Sequence, residues 1–221
     1  RGAAVVLVHG TDADRSDMLA EMRALGRAGY GALAYDAPGH GESDGVVTFG
    51  SCEVKTVVAA AEHVAQLPGV DAARVGAVGA SAGGAIVGVA SAETSRLRAV
   101  ALVAAFTDSE EQTRFVYRGK GPLSQEPALR VDREHMIDGP LRAIDAVRKT
   151  KVRAVFIVQG TDDPIVPPYM ATQLHEAVAV AAPPINELWM IEHGRHLHLE
   201  EVTNGAYGKR LVEFFDRGLA R

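Results

Sequence analysis

Residues Val75–Gly84 read VGAVGASAGG. An apolar, strand-like run enters this stretch and a run of small residues suited to a helix leaves it. At the corner stands Ser81, framed as Gly79-Ala80-Ser81-Ala82-Gly83, a G-x-S-x-G pattern. A side chain on so sharp a strand-to-helix turn is pushed outward on strained backbone. The flanking glycines are needed because a Cβ there would strike the neighbouring strand or helix. The turn also sets a hydroxyl beside a helix N-terminus, whose free N–H groups can hold an oxyanion. Taken alone, the same residues suit a glycine turn that merely packs a helix on a sheet. A dinucleotide-binding loop would need glycine at position 81, and no G-K-[ST] follows to make a phosphate loop.

Working outward, the segments on either side predict a repeating strand–helix order. Ala3–Val8 (AAVVLV) is a continuous apolar run, the mark of a strand buried on both faces of a parallel sheet. Ser16 is read as the N-cap of a helix to Arg27, with Met18, Leu19, Met22 and Leu25 on its inner face and Gly29 closing it. Tyr30–Tyr35 is a second strand, followed by a turn-rich loop, Asp36–Ser43. A helix over Glu53–Gln66 carries an apolar stripe of Val54, Val57, Val58, Ala61 and Val64. Arg74–Val78 and Leu97–Ala104 are strands flanking an Ala82–Ala92 helix. Residues 106–150 break the alternation, being charged, interrupted by Pro122, Pro127 and Pro140, and only brokenly helical in period. The order then resumes with a Lys151–Val158 strand, a Pro168–Val180 helix, a Glu187–Ile191 strand and a Thr203–Leu219 helix. The fold class is therefore α/β: a mostly parallel, twisted sheet with helices on both faces, in one domain over 1–221.

Composition narrows the partners. A chain of 221 residues with 47% hydrophobic and 23% charged residues reads as one globular domain. A formal net charge of -5 argues against a nucleic-acid or anionic-membrane partner, which would need a basic face. No run of eighteen apolar residues is present, so no membrane span is expected. The single cysteine, Cys52, has no internal partner, and no leader pattern is seen, so a cytoplasmic location is expected. A chain that starts at Arg1 and enters a strand by Ala3 is expected to continue upstream.

In such sheets ligands bind beyond the C-terminal strand ends. The residues with chemistry follow strand-like runs: His9-Gly10-Thr11, Asp36, Ser81, Asp162 and Asp163, and His193–His198. A serine hydroxyl needs a base, and His196, on the loop after the last strand, is the best placed of eight histidines. His193, His196 and His198, with Glu192 and Glu200, also allow a zinc reading. Asp162 and Asp163 are both candidate acids, and because neighbours in extended backbone point opposite ways, only one can face His196. Asp36 and His40 read as loop scaffolding, and His9 as a buried, hydrogen-bonded histidine rather than a base. His63, His135 and His175 have no supporting context.

Together these residues resemble the α/β-hydrolase family, close to its small serine esterases with a compact cap. The order Ser81, Asp163, His196 matches the family order of nucleophile, acid and histidine. His9-Gly10 resembles the oxyanion-hole dipeptide, and Asp36-Ala37-Pro38-Gly39-His40-Gly41-Glu42-Ser43 resembles the D-x-x-G-x-G-x-S loop. Gly160-Thr161-Asp162-Asp163-Pro164-Ile165-Val166-Pro167 is similar to the acid loop, and that match selects Asp163. His193-Gly194-Arg195-His196 resembles the histidine loop, with histidine where glycine often stands. The resemblance covers nearly the whole chain except 106–150, which takes the place of a short helical cap after the strand near 97–104. Two departures are the family's leading β-hairpin, which has no counterpart before Ala3, and the small residues Ala80 and Ala82 beside Ser81.

The resemblance implies hydrolysis of a carboxylic ester through an acyl-enzyme, with Thr11 and Ala82 giving backbone N–H groups to the oxyanion. It implies no metal and no organic cofactor, and a small acyl ester as substrate. A thioesterase or small-peptide hydrolase would use the same residues. A non-catalytic binding protein on this scaffold, or a zinc-dependent hydrolase, are the rivals from other classes.

Overall fold

The structure, a computed structural model, describes residues 2–48, 50–136 and 140–221. Six strands form one sheet: β1 (Ala4–Val8), β2 (Gly31–Ala34), β3 (Val75–Ala80), β4 (Leu97–Val103), β5 (Ala154–Gly160) and β6 (Ile185–Ile191). Their spatial order is β2-β1-β3-β4-β5-β6, and every pairing is parallel. β1, β3 and β5 are buried along their whole length, which is why they read as apolar runs, broken only by Gln159 near the end of β5, whereas β2 and β6 are the partly exposed edges.

The chain first steps from β1 to β2 and then reverses direction to β3. That makes the β1/β3 boundary the switch point at which open α/β sheets bind ligands. Helices α1 (Leu19–Arg27) and α9 (Ala206–Gly218) cover one face, over a core holding Met18, Leu25, Phe156, Phe214 and Phe215. Helices α2 (Ser51–Ala65), α3 (Ala82–Glu93) and α7 (Pro168–Ala181) cover the other, where Val57, Val87, Ile157 and Leu174 are buried. Burying each such side chain contributes about 1.5–3 kcal/mol. Among the described residues no helix is long and apolar enough to cross a membrane.

Several boundaries differ from the sequence reading, each for a local reason. The first helix is not capped by Ser16. Asp14 accepts from the Ser16 amide and Asp17 reaches back to the Asp14 amide, opening a 3-10 turn over Arg15–Met18 before α1. Met18 and Leu25 are buried, but Leu19 faces solvent. Helix α2 begins two residues before the expected Glu53. The Glu53 carboxylate turns back to take the amides of Thr48 and Gly50, 2.9 Å from each, and the Thr48 hydroxyl at 2.6 Å. The terminal helix starts at Ala206, as α9, rather than at Thr203, because Asn204 and Gly205 adopt left-handed backbone, φ 48° and 84°; a separate helical turn, α8 (Leu199–Val202), precedes it.

The 106–150 segment forms α4 (Ser109–Val116), α5 (Pro122–His135) and α6 (Ala143–Val147). Part of it, residues 137–139, lies outside the described residues. Ala143 and Val147 sit in the same core as Val87 and Ala90 of α3, so α6 packs with the body. Helix α4 is tied down by side chains. Glu111 accepts from the Thr107 hydroxyl at 2.9 Å and the Tyr169 hydroxyl at 3.0 Å, and the Gln112 amide donates to the Ile165 carbonyl at 2.7 Å.

Candidate active site

Ser81 stands between β3 and α3 with φ 56° and ψ −121°, a conformation sparsely populated for a residue with a side chain. Its backbone is held from both sides. The Ser81 amide donates to the Val103 carbonyl at 2.8 Å, and the Ser81 carbonyl accepts from the Gly84 amide at 2.9 Å. The flanking glycines are required sterically. A Cβ on Gly79 would lie 2.1 Å from the Gly83 carbonyl oxygen, and one on Gly83 would lie 2.3 Å from that of Val8. This is the close approach of strand and helix that the G-x-S-x-G pattern implied.

Three side chains from three loops meet there. His196 Nε2 is 3.1 Å from Ser81 Oγ, and His196 Nδ1 is 2.8 Å from Asp163 Oδ2. The Asp163 side chain has no solvent exposure and that of His196 only 14%. Asp163 Oδ1 accepts the amides of Ile165 and Val166 at 2.8 and 2.9 Å, and Oδ2 also accepts Gln159 Nε2 at 2.9 Å. Burial by itself would push the Asp163 carboxyl up. The hydrogen bond and charge of His196, with the two amides, outweigh burial and hold the group below the ordinary aspartate value. Asp163 is thus kept ionised where it can orient the imidazole.

Asp162 turns the other way, its Oδ2 lying 3.1 Å from Nδ1 of His193, and both of those side chains are exposed. The three histidines of the zinc reading do not converge. Among the described residues no group of three or more potential metal ligands lies close enough to hold an ion.

His9 is buried. Its Nε2 accepts the Ala37 amide at 2.9 Å, so its Nδ1 carries the proton and donates to the Gly10 carbonyl at 2.8 Å. Asp36 braces the same loop, accepting the amides of Arg15 at 2.8 Å and Glu42 at 3.0 Å and the Arg15 guanidinium. Hydrogen bonds from the Glu42 and Arg15 amides hold its carboxyl below the ordinary aspartate value. The Thr11 amide follows Gly10 on this braced turn. The Ala82 amide is the first of α3, where an N–H has no intrahelical acceptor.

All of this opens into a cavity of about 540 Å3. Thr11, Ser81, Ala82 and His196 line its floor, and Phe106, Val116, Met136 and Leu141 of the 106–150 segment line an apolar side. Its carboxylates are Asp12, Asp17, Glu21, Glu53 and Glu200, and among the described residues neither lysine nor arginine reaches it. Burial pushes the Glu21 carboxyl up, against the lowering effect of the Tyr207 hydroxyl that donates to it at 2.8 Å. The cavity's acidic residues and the Gln159–Asp163 hydrogen bond have no counterpart in the sequence motifs. Gln159 had a signal, a lone polar residue at the end of the apolar run AVFIVQ.

Comparison with known proteins agrees with this architecture. A model of the prolyl oligopeptidase family matches residues 20–221. The esterase Pf2001 of Pyrococcus furiosus superposes with a TM-score of 0.80 at 20% identity, over 99% of this chain and 84% of that one. A puromycin-hydrolyzing peptidase of Mycobacterium tuberculosis gives 0.77 at 21% identity, over 99% of this chain and 34% of that one. Est1E from Butyrivibrio proteoclasticus, with ferulic acid bound, gives 0.74 at 21% identity, over 99% and 90%. These likenesses establish the α/β-hydrolase fold. No curated protein sequence matches the chain significantly.

Proposed function

The chain belongs to the prolyl oligopeptidase family, and on that premise we propose that this serine hydrolase cleaves a small carboxylic ester through an acyl-enzyme. The observation that carries the reading is the continuous relay from Ser81 Oγ through His196 to a buried, ionised Asp163. His196 takes the hydroxyl proton as Ser81 attacks the carbonyl, then delivers it to the departing alcohol. Water repeats the sequence to release the acid. Asp163 fixes the imidazole tautomer and offsets its charge. The Thr11 and Ala82 amides hold the tetrahedral oxyanion, each worth roughly 3–4 kcal/mol of barrier.

The described part of the 106–150 segment acts as a compact cap, and its apolar residues Phe106, Val116, Met136 and Leu141 suit an acyl group of modest size. A wall whose charged residues are acidic favours neutral or cationic substrates and disfavours anionic ones. That same wall supports a second reading, an aminoacyl or small-peptide amide, in which a carboxylate would receive the substrate's ammonium group. Family membership is compatible with both.

A panel of p-nitrophenyl esters of rising acyl length, with succinyl, thioester and aminoacyl-anilide members, decides between the readings. Preference for short neutral acyl esters supports the esterase, and preference for aminoacyl anilides supports the second reading. In Ser81→Ala, turnover and labelling by a fluorophosphonate should vanish while the fold persists. Retained turnover would remove Ser81 as the nucleophile.

A further inference from the structure

Gln159 lies near the end of β5 with its side chain fully buried. Its Nε2 donates to Asp163 Oδ2 at 2.9 Å, the same oxygen that meets His196 Nδ1, and reaches the carbonyls of Gly160 and Val166 at 3.2 Å each. Turning the amide over would press its oxygen against three acceptors, so the surroundings dictate which end faces Asp163. The consequence falls on Oε1, which is buried and has no hydrogen-bond partner among the described residues. Unpaired buried acceptors are rare because they cost stability, and each calls for a reason. Val155, Phe156, Ile157 and Val158, the residues before it on β5, are all apolar and fully packed. A methionine or leucine at 159 would therefore bring no orphaned oxygen.

The reason lies in the geometry of the carboxylate. Asp163 Oδ1 is held by two amides, and these alone leave Oδ2 only His196 to define it. Gln159 supplies the second donor on Oδ2, so both oxygens are pinned and the carboxylate plane is set before the imidazole arrives. From this we infer that Gln159 is a positioning residue of the hydrolytic reaction, acting through Asp163 to aim His196 at Ser81. The inference rests on the triad reading proposed above.

The test compares Gln159→Met, which keeps side-chain volume and removes the donor, with Gln159→Glu and with Asp163→Asn as reference. All are assayed on p-nitrophenyl acetate across pH, with folding followed by thermal melting. In Gln159→Met, kcat falls by about tenfold to a hundredfold, the share of one charge-assisted hydrogen bond. Its KM stays within about twofold. The low-pH limb of kcat/KM also moves upward, because the less solvated carboxylate binds imidazolium more strongly.

Gln159→Glu carries the test if the methionine variant does not fold. When protonated, the new carboxyl donates to Asp163 and activity survives; as it ionises, kcat declines at a midpoint that the wild type lacks. A folded Gln159→Met or Gln159→Glu with wild-type kcat and pH profile, beside an inactive Asp163→Asn, overturns the inference and leaves the triad standing. Full activity in Asp163→Asn removes the triad reading and this inference with it.

Discussion

The carboxylate of Asp162 rests 3.1 Å from Nδ1 of His193, on the solvent side of the histidine loop. Adjacent aspartates therefore serve two different histidines, and only Asp163 reaches the one beside Ser81. The two neutral substitutions should separate cleanly. Asp163→Asn presents an amide to Nδ1, selects the wrong tautomer and lowers kcat by about 10⁴-fold. Asp162→Asn loses an exposed pair worth roughly 0–1 kcal/mol and should leave kcat within about twofold. Steady-state kinetics on one ester settles it, and a severe loss in Asp162→Asn would reverse the assignment.

Two glycines make opposite predictions for the same change. Gly83→Ala forces a methyl to within 2.3 Å of the Val8 carbonyl, at the contact that sets the elbow against β1. Overpacking of this kind costs roughly 1–3 kcal/mol or more, and activity should fall with it. Gly26, inside α1, has nothing within 4 Å of the added carbon. Gly26→Ala should raise stability by about 0.5–1 kcal/mol through helix propensity alone. Chemical denaturation of both variants checks the pair.

How far the sequence specifies each part depends on the kind of force that shapes it. Strands β1, β3 and β5 are legible because a strand buried on both faces is apolar along most of its length. Ser81 and His196 were legible because parallel sheets gather their loops at one end, so residues just after strands meet. Local polar choices were less legible. Asp14 and Asp17 take the place of Ser16 as the cap, and Gly205, whose left-handed backbone suits a helix boundary, holds the start of the last helix back from Thr203 to Ala206. The 106–150 segment was opaque because its stability comes from tertiary ties such as Glu111 with Thr107 and Tyr169, which no periodicity encodes. Asp162 and Asp163 could not be told apart by spacing, and family resemblance selected between them.

Asp163, buried, and Glu21, half-buried, give pH effects of opposite sign. Asp163 is depressed in the fold, so its contribution to stability is full above the ordinary aspartate value and is lost as pH falls through the depressed one. Glu21 is raised by burial, so the fold binds its proton more tightly than the unfolded chain does. Stability then falls as pH climbs from the ordinary glutamate value through the raised one, and the penalty stays at higher pH. Glu21→Gln keeps an acceptor for the Tyr207 hydroxyl and abolishes the titration. Its melting temperature should exceed that of the wild type at pH 7–8, with the gain shrinking to nothing below the ordinary glutamate range. A gain that is flat with pH would rule out the titration as its source.

His9 sits within the cavity wall yet has both ring nitrogens committed, one to the Ala37 amide and one to the Gly10 carbonyl. That leaves it no capacity to act as a base. Its effect should instead pass through geometry. The Gly10 carbonyl and the Thr11 N–H belong to one planar peptide unit, so a hydrogen bond to that oxygen fixes the direction of the N–H at the other end. His9→Phe preserves the ring's bulk and removes the bond. The Thr11 donor should then drift from the oxyanion position, lowering kcat by roughly tenfold or more, towards the 10²–10³ expected for outright loss of one donor. Because no titrating catalyst is removed, the pH midpoints of kcat/KM should match the wild type. A profile that loses its low-pH limb in His9→Phe would mean that His9, rather than His196, carries the proton.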